Sequence, residues 1–342
     1  MAEASGIKTQ PKQENVASGA AGYQQEGYLY TSYGSDKYLR DAVVSATTLK
    51  RFDSKRTVAL VCSRQHREQL NSAGIESPFD LMIDLHQDHQ TIVGFKHNLH
   101  NYMPFSRNLY IDSDMIWCRN PDRVWHMLRP YPYTITGQDS ADVFFGAHKN
   151  IRILLDIVLR RRQRTLRRFG LSHLARVQTG VMYAADPDVT REVNELAKNL
   201  LERKAETHFV SRRKEKGRNL ESCEWSLGMA VSKMNLFVYP WFNGQESIQL
   251  DYIRPLTRAS EDFSEVSCKY FCNPFVHSLR GVNNGVMRNM LFRLFRALPR
   301  GNDHIWVTPY ILHFGWHHQK PWFDRFAEQE WNKLSGKGTG KT

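Results

Sequence analysis

The chain has 342 residues, 41% of them hydrophobic and 12% aromatic, and this is enough to bury a large core, which we assign to one domain. No stretch approaches the roughly eighteen continuous apolar residues of a membrane span, and five scattered cysteines argue against a disulfide framework. The formal net charge of +12 favours partners that carry phosphate or other anions. Because no apolar signal-peptide core is seen, the expected location is the cytoplasm.

The N-terminal part predicts strands that alternate with helices. Residues 1–26 have no apolar periodicity and are expected to form a disordered tail. Alternating strands and helices favour an α/β fold with a mainly parallel central sheet flanked by helices, and ligands then bind at the C-terminal ends of the strands. We predict strands at 28–32, 57–62, 80–84 and 108–111, and helices at 37–51 and 91–102.

The C-terminal part is less regular. Residues 244–284 show no clear periodicity and are expected to form loops, and residues 331–342 a flexible tail. The remaining predicted elements are strands at 133–136, 181–184 and 236–241 and helices at 150–168, 189–204 and 220–234.

Two carboxylates stand one residue apart directly after the predicted strand 108–111. They belong to Asp112 and Asp114, with Ser113 between them. Hard cations such as Mg²⁺ or Mn²⁺ prefer carboxylate oxygens, and substrate phosphates and waters usually complete their shell. The pair therefore suggests a divalent metal site that acts on a phosphorylated substrate. An ordinary turn explains the same pair, because Asp is common where strands turn into loops.

A second segment, His313-Phe-Gly-Trp-His-His-Gln-Lys-Pro-Trp322, follows about two hundred residues later. Together the two segments resemble glycosyltransferase family 8, the group of glycogenin and bacterial lipooligosaccharide galactosyltransferases. Three further features carry the resemblance, namely Asp36-Lys-Tyr38 after the first strand, Lys96 sixteen residues before Asp112, and Gln178-Thr-Gly-Val181.

The resemblance implies a GT-A nucleotide-diphospho-sugar transferase fold over residues 27–330, with a basic insertion at about 146–177. It also implies a metal-dependent retaining transferase that moves a hexose from a UDP-sugar to the hydroxyl of a glycan, protein or lipid-linked acceptor. Loops within 244–284 would then lie on the acceptor side.

Roles for individual residues also come from this resemblance. Asp112, Asp114 and His313 would bind Mn²⁺ or Mg²⁺. Tyr38 would stack on the uracil ring, and Lys320 would contact the diphosphate. The full set expected at the donor is Thr31, Ser32, Tyr38, Lys96, Asp112, Ser113, Asp114, Thr179, Gly180, Gly315 and Lys320. The candidates for catalytic contacts with the donor sugar are Gln178, Asp139 and Glu224.

One departure from the family leaves other functions open. The usual Asp-Gln-Gly is replaced by Glu224-Trp-Ser226, so the Gln often discussed as catalytic is missing. A catalytically inactive, glycosyltransferase-like binding protein is one alternative. A haloacid-dehalogenase-type phosphatase is another, although Ile116 fits its DxDx[TV] motif poorly.

A dense basic run, Arg160 to Arg168, lies where the family is usually shorter. Such a run can bind anionic lipid headgroups, an acidic glycan or nucleic acid through the same attraction to negative charge. A solvated surface insertion explains it equally well. We expect peripheral contact with an anionic membrane here, and nucleic acid is not an expected partner unless the chain is a non-catalytic basic scaffold.

Overall fold

The computed structural model describes residues 25–142, 145–148, 152–210, 221–273, 285–299, 301–315 and 319–336. Most of the two predicted tails, residues 1–24 and 337–342, lies outside the described residues. Within these ranges every helix is too short or too polar to cross a bilayer.

Thirteen strands are found in the described residues and form three sheets. They are β1 (Glu26–Ser32), β2 (Thr57–Cys62), β3 (Leu81–Asp84), β4 (Arg107–Ile111), β5 (Met115–Trp117), β6 (Tyr133–Gln138), β7 (Arg176–Ala184), β8 (Tyr239–Pro240), β9 (Gln249–Asp251), β10 (Thr257–Ala259), β11 (Val266–Phe271), β12 (His304–Val307) and β13 (Ile311–His313).

The central sheet has seven strands in the order β3-β2-β1-β4-β7-β6-β8. Four of its described pairings are parallel, and the two made by β7, with β4 and with β6, are antiparallel. Successive residues of β1 alternate between two core clusters, with Tyr28 and Tyr30 on one face and Leu29 on the other. Burial on both faces is typical of parallel sheets covered by helices. The predicted α/β class with a mainly parallel sheet is confirmed.

The helices carry clear start signals. Ser35 accepts a hydrogen bond from the Lys37 backbone at the start of α1, and Asp186 does the same for two backbone N–H groups of α7, where Pro187 is the first residue. The described α-helices are α1 (Asp36–Lys50), α2 (Arg64–Ser72), α3 (Ile92–Lys96), α4 (Asp122–Leu128), α5 (Arg152–Val158), α6 (Arg161–Phe169), α7 (Pro187–Glu202), α8 (Glu224–Lys233), α9 (Gly285–Ala297) and α10 (Lys320–Leu334).

Several predicted elements need correction. The helix predicted at 150–168 is two helices, because Arg160 adopts a left-handed backbone conformation (φ 49°) between α5 and α6. The helix predicted at 91–102 ends at Lys96 and resumes as a short 3₁₀ helix, Leu99–Tyr102. The strand predicted at 236–241 has only two residues, Tyr239–Pro240.

The C-terminal third contains more regular structure than its sequence indicates. Residues 244–284, predicted as loops, contain β9, β10 and β11. The predicted tail boundary at 331 is also too early, since α10 continues to Leu334, where Trp331 and Leu334 pack against the core.

A small sheet, β5-β13-β9, brings distant segments together beside the central sheet. β13 pairs antiparallel with β5, opposing His313 to Met115, and parallel with β9, opposing His313 to Asp251. The Phe314 N–H also donates to the Asp114 carbonyl at 3.0 Å. The loop between β4 and β5 is thereby fixed against the C-terminal segment.

Candidate active site

The predicted site residues gather at one edge of the central sheet. Because β4 and β6 both run antiparallel to β7, their C-terminal ends and the start of β7 lie at the same edge. Asp112 follows β4, Asp139 follows β6, and Gln178 lies near the start of β7. This is the edge at which α/β sheets bind their ligands.

Lys96 holds Asp112 from within the core. Its ammonium lies 2.8 and 3.0 Å from the two carboxylate oxygens and donates to the Thr179 carbonyl at 2.9 Å. The Tyr110 hydroxyl donates to the same carboxylate at 2.5 Å. Burial alone would lower the pKa of Lys96, but the charge of Asp112 outweighs it and the pKa is raised. The lysine therefore stays a cation, and it neutralises the first carboxylate of the pair.

Asp114 meets the C-terminal segment. Its Oδ2 accepts a hydrogen bond from the Lys320 ammonium at 3.0 Å, and its Oδ1 lies 3.8 Å from Nε2 of His313. Burial opposes ionisation of this carboxyl group, but Lys320 and His313 lower its pKa to about 2. The structure thus brings the two sequence motifs into direct contact.

His313 is buried between two carboxylates. Its Nδ1 lies 2.8 Å from Oδ1 of Asp251, on the side of the ring away from Asp114. Burial would lower the pKa of the imidazole, whereas the hydrogen bond to Asp251 and the charge of Asp114 raise it. A carboxylate that accepts from one ring nitrogen orients the ring and makes the other nitrogen a better metal ligand.

The sequence did not predict Asp251 as a site residue, because residues 244–284 show no clear periodicity overall. A short signal was present, since the apolar Ile248 and Leu250 alternate with the polar Gln249 and Asp251. Alternation with a period of two is typical of a half-buried strand.

Gln178 packs against the imidazole rather than pointing to open solvent. Its amide nitrogen lies 3.2 Å from Nε2 of His313, and its amide oxygen accepts from the Gly180 backbone and from Gln249, both at 2.8 Å. The side chain is held from three directions, and it supports the ring of His313.

Two glycines of the motifs are closely packed. A Cβ at Gly315 would lie 2.2 Å from Cε1 of His313, and a Cβ at Gly180 would lie 2.2 Å from the terminal methyl of Met115. Gly180 also accepts the Asp112 N–H at 2.8 Å. Any side chain at 315 would therefore displace the imidazole.

The residues expected near the base lie at the C-terminal end of β1 and in the first turn of α1. Tyr38 is 48% exposed in the first turn of α1 and is close enough to Lys320 to influence its pKa. The Thr31 hydroxyl donates to the Val61 carbonyl at 3.1 Å, and the buried Ser32 hydroxyl lies 2.6 Å from Nδ1 of His66. The exposed ring of Tyr38 is therefore more accessible to a ligand than the Ser32 hydroxyl.

The remaining candidates differ in their surroundings. Glu224 is the first residue of α8 and contributes to the electrostatic field at Lys96. Trp225 next to it is buried, and its ring stacks on Phe209 with centroids 4.9 Å apart. Asp139 is exposed beyond the end of β6, and Ser113 is half-buried between the two carboxylates.

Asp112, Asp114 and His313 are the side chains that could hold a divalent cation. Across the described ranges, no three His, Cys, Asp or Glu side chains form a ready metal cage. Magnesium-like ions are usually held by one or two carboxylates together with substrate phosphates, so a closed cage is not required. Asp112, Asp114 and Nε2 of His313 supply oxygen and imidazole donors suited to Mn²⁺ or Mg²⁺.

Comparisons with known proteins gave structural neighbours only. No protein-family model matches the chain, and no curated protein sequence matches it. The galactosyltransferase LgtC, solved with donor and acceptor sugar analogs, aligns at 11% identity over 92% of this chain and 97% of its own, with a TM-score of 0.49. The glycosyltransferase GlyE of Streptococcus pneumoniae TIGR4 aligns at 12% identity over 92% of this chain and 63% of its own, with a TM-score of 0.46.

Mouse xyloside xylosyltransferase 1, in its apo form, aligns at 11% identity over 86% of this chain and 99% of its own, with a TM-score of 0.44. At these values the function has to be inferred from the chain's own motifs and site geometry.

Proposed function

We propose that the chain is a metal-dependent, retaining glycosyltransferase of the GT-A type, similar to family 8, that transfers a hexose from a UDP-sugar to an acceptor hydroxyl. One observation carries the proposal. The DxD and the C-terminal motif, remote in sequence, meet at Asp114, whose carboxylate contacts Lys320 at 3.0 Å and approaches His313 to 3.8 Å. A phosphorylated donor needs such a combination of acids and bases.

The chemistry follows from the leaving group. Departure of a nucleoside diphosphate builds negative charge, and a cation held by Asp112, Asp114 and His313 would neutralise part of that charge when bound. Lys320 is the protein's own cation at the same place, with its side chain 36% exposed and able to bind a diphosphate oxygen. Its interaction becomes stronger as the glycosidic bond breaks, and this lowers the barrier.

Lys96 has a different role in this proposal. Its ammonium is buried and bonded to both Asp112 and Thr179, so it orients the first carboxylate and offsets its charge. The exposed ring of Tyr38 offers a face on which a uracil could stack, and stacking of this kind is tolerant of the base. Uridine as the base is therefore taken from the family resemblance.

Retention of configuration is proposed without a protein nucleophile. Gln178 is engaged with His313 and Gln249, which leaves Glu224 and Asp139 as the candidates for contact with the donor sugar. A same-face reaction, in which the acceptor hydroxyl loses its proton to the departing phosphate, is the mechanism that the family resemblance favours.

A second candidate is a catalytically inactive binding protein. It is favoured by Trp225, which stands where the family has a Gln and is buried against Phe209. Such a protein would bind UDP with Mn²⁺, gain thermal stability from that binding, and release no sugar.

The test is a panel of UDP-sugars incubated with the purified chain, with Mn²⁺, with Mg²⁺, or with EDTA. We expect UDP release only with a metal ion, and Asp114→Asn should lower it by about 100-fold or more. Asp262→Asn, which alters an exposed carboxylate of a surface loop, should leave the rate unchanged. UDP release that persists in EDTA contradicts the proposal, and release of inorganic phosphate from phosphomonoesters would favour the phosphatase alternative.

A further inference from the structure

Helix α5 presents its apolar side chains to the outside and its acidic residue to the inside. Asp156 is buried, whereas five aliphatic side chains around it are between 40% and 76% exposed. A helix of a water-soluble surface normally has the opposite arrangement. The exposed side chains are Leu154, Leu155, Ile157, Val158 and Leu159.

The inverted orientation of α5 is held by specific contacts. The Asp156 carboxylate accepts hydrogen bonds from the backbone N–H and from Nδ1 of His148, at 3.1 and 2.8 Å. It also lies 3.3 Å from the guanidinium of Arg161. Because these contacts fix the polar face inward, the aliphatic face must point outward.

Helix α6 adds positive charge beside this apolar face. It packs against α5, and Arg160, Arg161, Arg164, Arg167 and Arg168 are all exposed. Its own inner face is formed by Thr165 and Phe169, which are buried. The two helices thus form one surface in which an aliphatic patch adjoins a cluster of arginines.

The surface is firmly attached to the rest of the domain. Thr165 accepts a hydrogen bond from the His208 backbone at 2.9 Å, and Lys233 donates to the Phe169 carbonyl at 3.0 Å. Lys233 is the last residue of α8, and Glu224 at the candidate active site is the first. Whatever binds α5 and α6 is therefore held at a defined position relative to that site.

We propose that the α5–α6 surface, residues 152–169, docks the protein on an anionic phospholipid bilayer. Aliphatic side chains next to arginines match the acyl boundary and the phosphate layer of such a surface, and each basic residue adds to the attraction. Nucleic acid would use the arginines but not five exposed aliphatic side chains. The bilayer uses both parts of the surface, and this distinguishes it from a purely electrostatic partner.

Sedimentation with vesicles tests the proposal on the full chain. The vesicles are made either of phosphatidylcholine alone or of equal parts phosphatidylcholine and phosphatidylserine. We expect the protein to bind the anionic vesicles and to release as salt is raised. Ile157→Asp should weaken this binding by about tenfold or more, because it removes an inserting side chain and adds a repelled charge. Arg164→Glu should weaken it by about fivefold or more.

A matched control is available in α3. Ile92 is 52% exposed, close to the 47% of Ile157, and Ile92→Asp should leave vesicle binding unchanged. Circular dichroism and thermal unfolding verify that each variant is folded. Equal losses for the two isoleucine variants, or no preference for anionic vesicles, would overturn the proposal. A dimer in solution that Ile157→Asp converts to a monomer would also overturn it, because a second copy would then be the partner.

Discussion

Asp251 and His313 face each other on paired strands, with 2.8 Å between Oδ1 of the carboxylate and Nδ1 of the imidazole. The hydrogen bond fixes a proton on Nδ1 and leaves Nε2, which faces Asp114, as the nitrogen able to bind a cation. Under the proposed function, Asp251 would be a positioning residue that acts through the ring of His313.

The first prediction concerns this pair. Asp251→Asn should weaken Mn²⁺ binding by about 10- to 100-fold, because the ring loses the partner that orients it. Calorimetric titration of Mn²⁺ in the absence of a donor measures the effect without relying on catalysis. Asp262→Asn serves as the control at an exposed carboxylate. Unchanged Mn²⁺ affinity in Asp251→Asn would show that Asp251 does not orient a metal ligand.

Gly315 offers a second test of the imidazole position. Gly315→Ala places a Cβ 2.2 Å from the ring of His313, so the ring must move. A displacement near 1 Å can cost about 100-fold in rate, so UDP release should fall by about that factor. Gly74→Ala is the contrasting control, since Gly74 has open space around it but a positive φ of 65°. Gly74→Ala should lower the melting temperature and leave the rate of UDP release unchanged. The same outcome for Gly315→Ala would show that the position of the His313 ring does not control that rate.

The third prediction concerns the buried pair of Lys96 and Asp112. Lys96→Met should lower the free energy of unfolding by about 2–4 kcal/mol, because Asp112 then loses its countercharge. The side chains are 7% and 25% exposed, so solvent screens the remaining carboxylate only partly. The double variant Lys96→Met/Asp112→Asn should recover part of the loss, as measured by urea denaturation. Strictly additive losses would mean that the pair is not coupled.

Asp41 on α1 gives a prediction for pH dependence. Burial is the main reason that the pKa of its carboxyl is raised to about 7, and the negative charges of Asp324 and Asp114 also raise this pKa. The positive charges of Lys37 and Arg40 act in the opposite direction. The folded state therefore binds this proton more tightly than the unfolded state. Its contribution to stability is full below the unfolded pKa and is lost as the pH rises towards about 7.

Asp41→Asn should remove that pH dependence. Measured against the wild type, the free energy of unfolding of the variant should rise by on the order of 1–3 kcal/mol from about pH 5 to about pH 8. Urea denaturation at each pH measures this difference. An equal difference between the two proteins at both pH values would show that Asp41 keeps an ordinary pKa.

The sequence predicted the first half of the fold well and the site only in part. The apolar run before Asp112 was sufficient to predict β4 and the carboxylates that follow it, because this signal is local. Lys96 was selected through the family resemblance. The three-residue strand β9 was not predicted, because the alternation of apolar and polar residues over 248–251 is too short to indicate a strand. The strand also depends on its pairing with β13. Asp251 was missed for that reason.

Two further features could not be predicted from local patterns. The direction of β7 depends on its neighbours, since a strand buried on both faces has the same composition in either direction. The break between α5 and α6 depends on one left-handed residue, Arg160, within a run of good helix formers. The inward position of Asp156 follows from His148, which lies outside both helices.

The pairing of β13 with β5 has a consequence for synthesis on the ribosome. The loop holding Asp112 and Asp114 emerges early, whereas Ile311–His313, which must align beside it, is translated almost two hundred residues later. In a nascent chain, the contacts of this loop with His313 therefore cannot form until Ile311–His313 has left the exit tunnel.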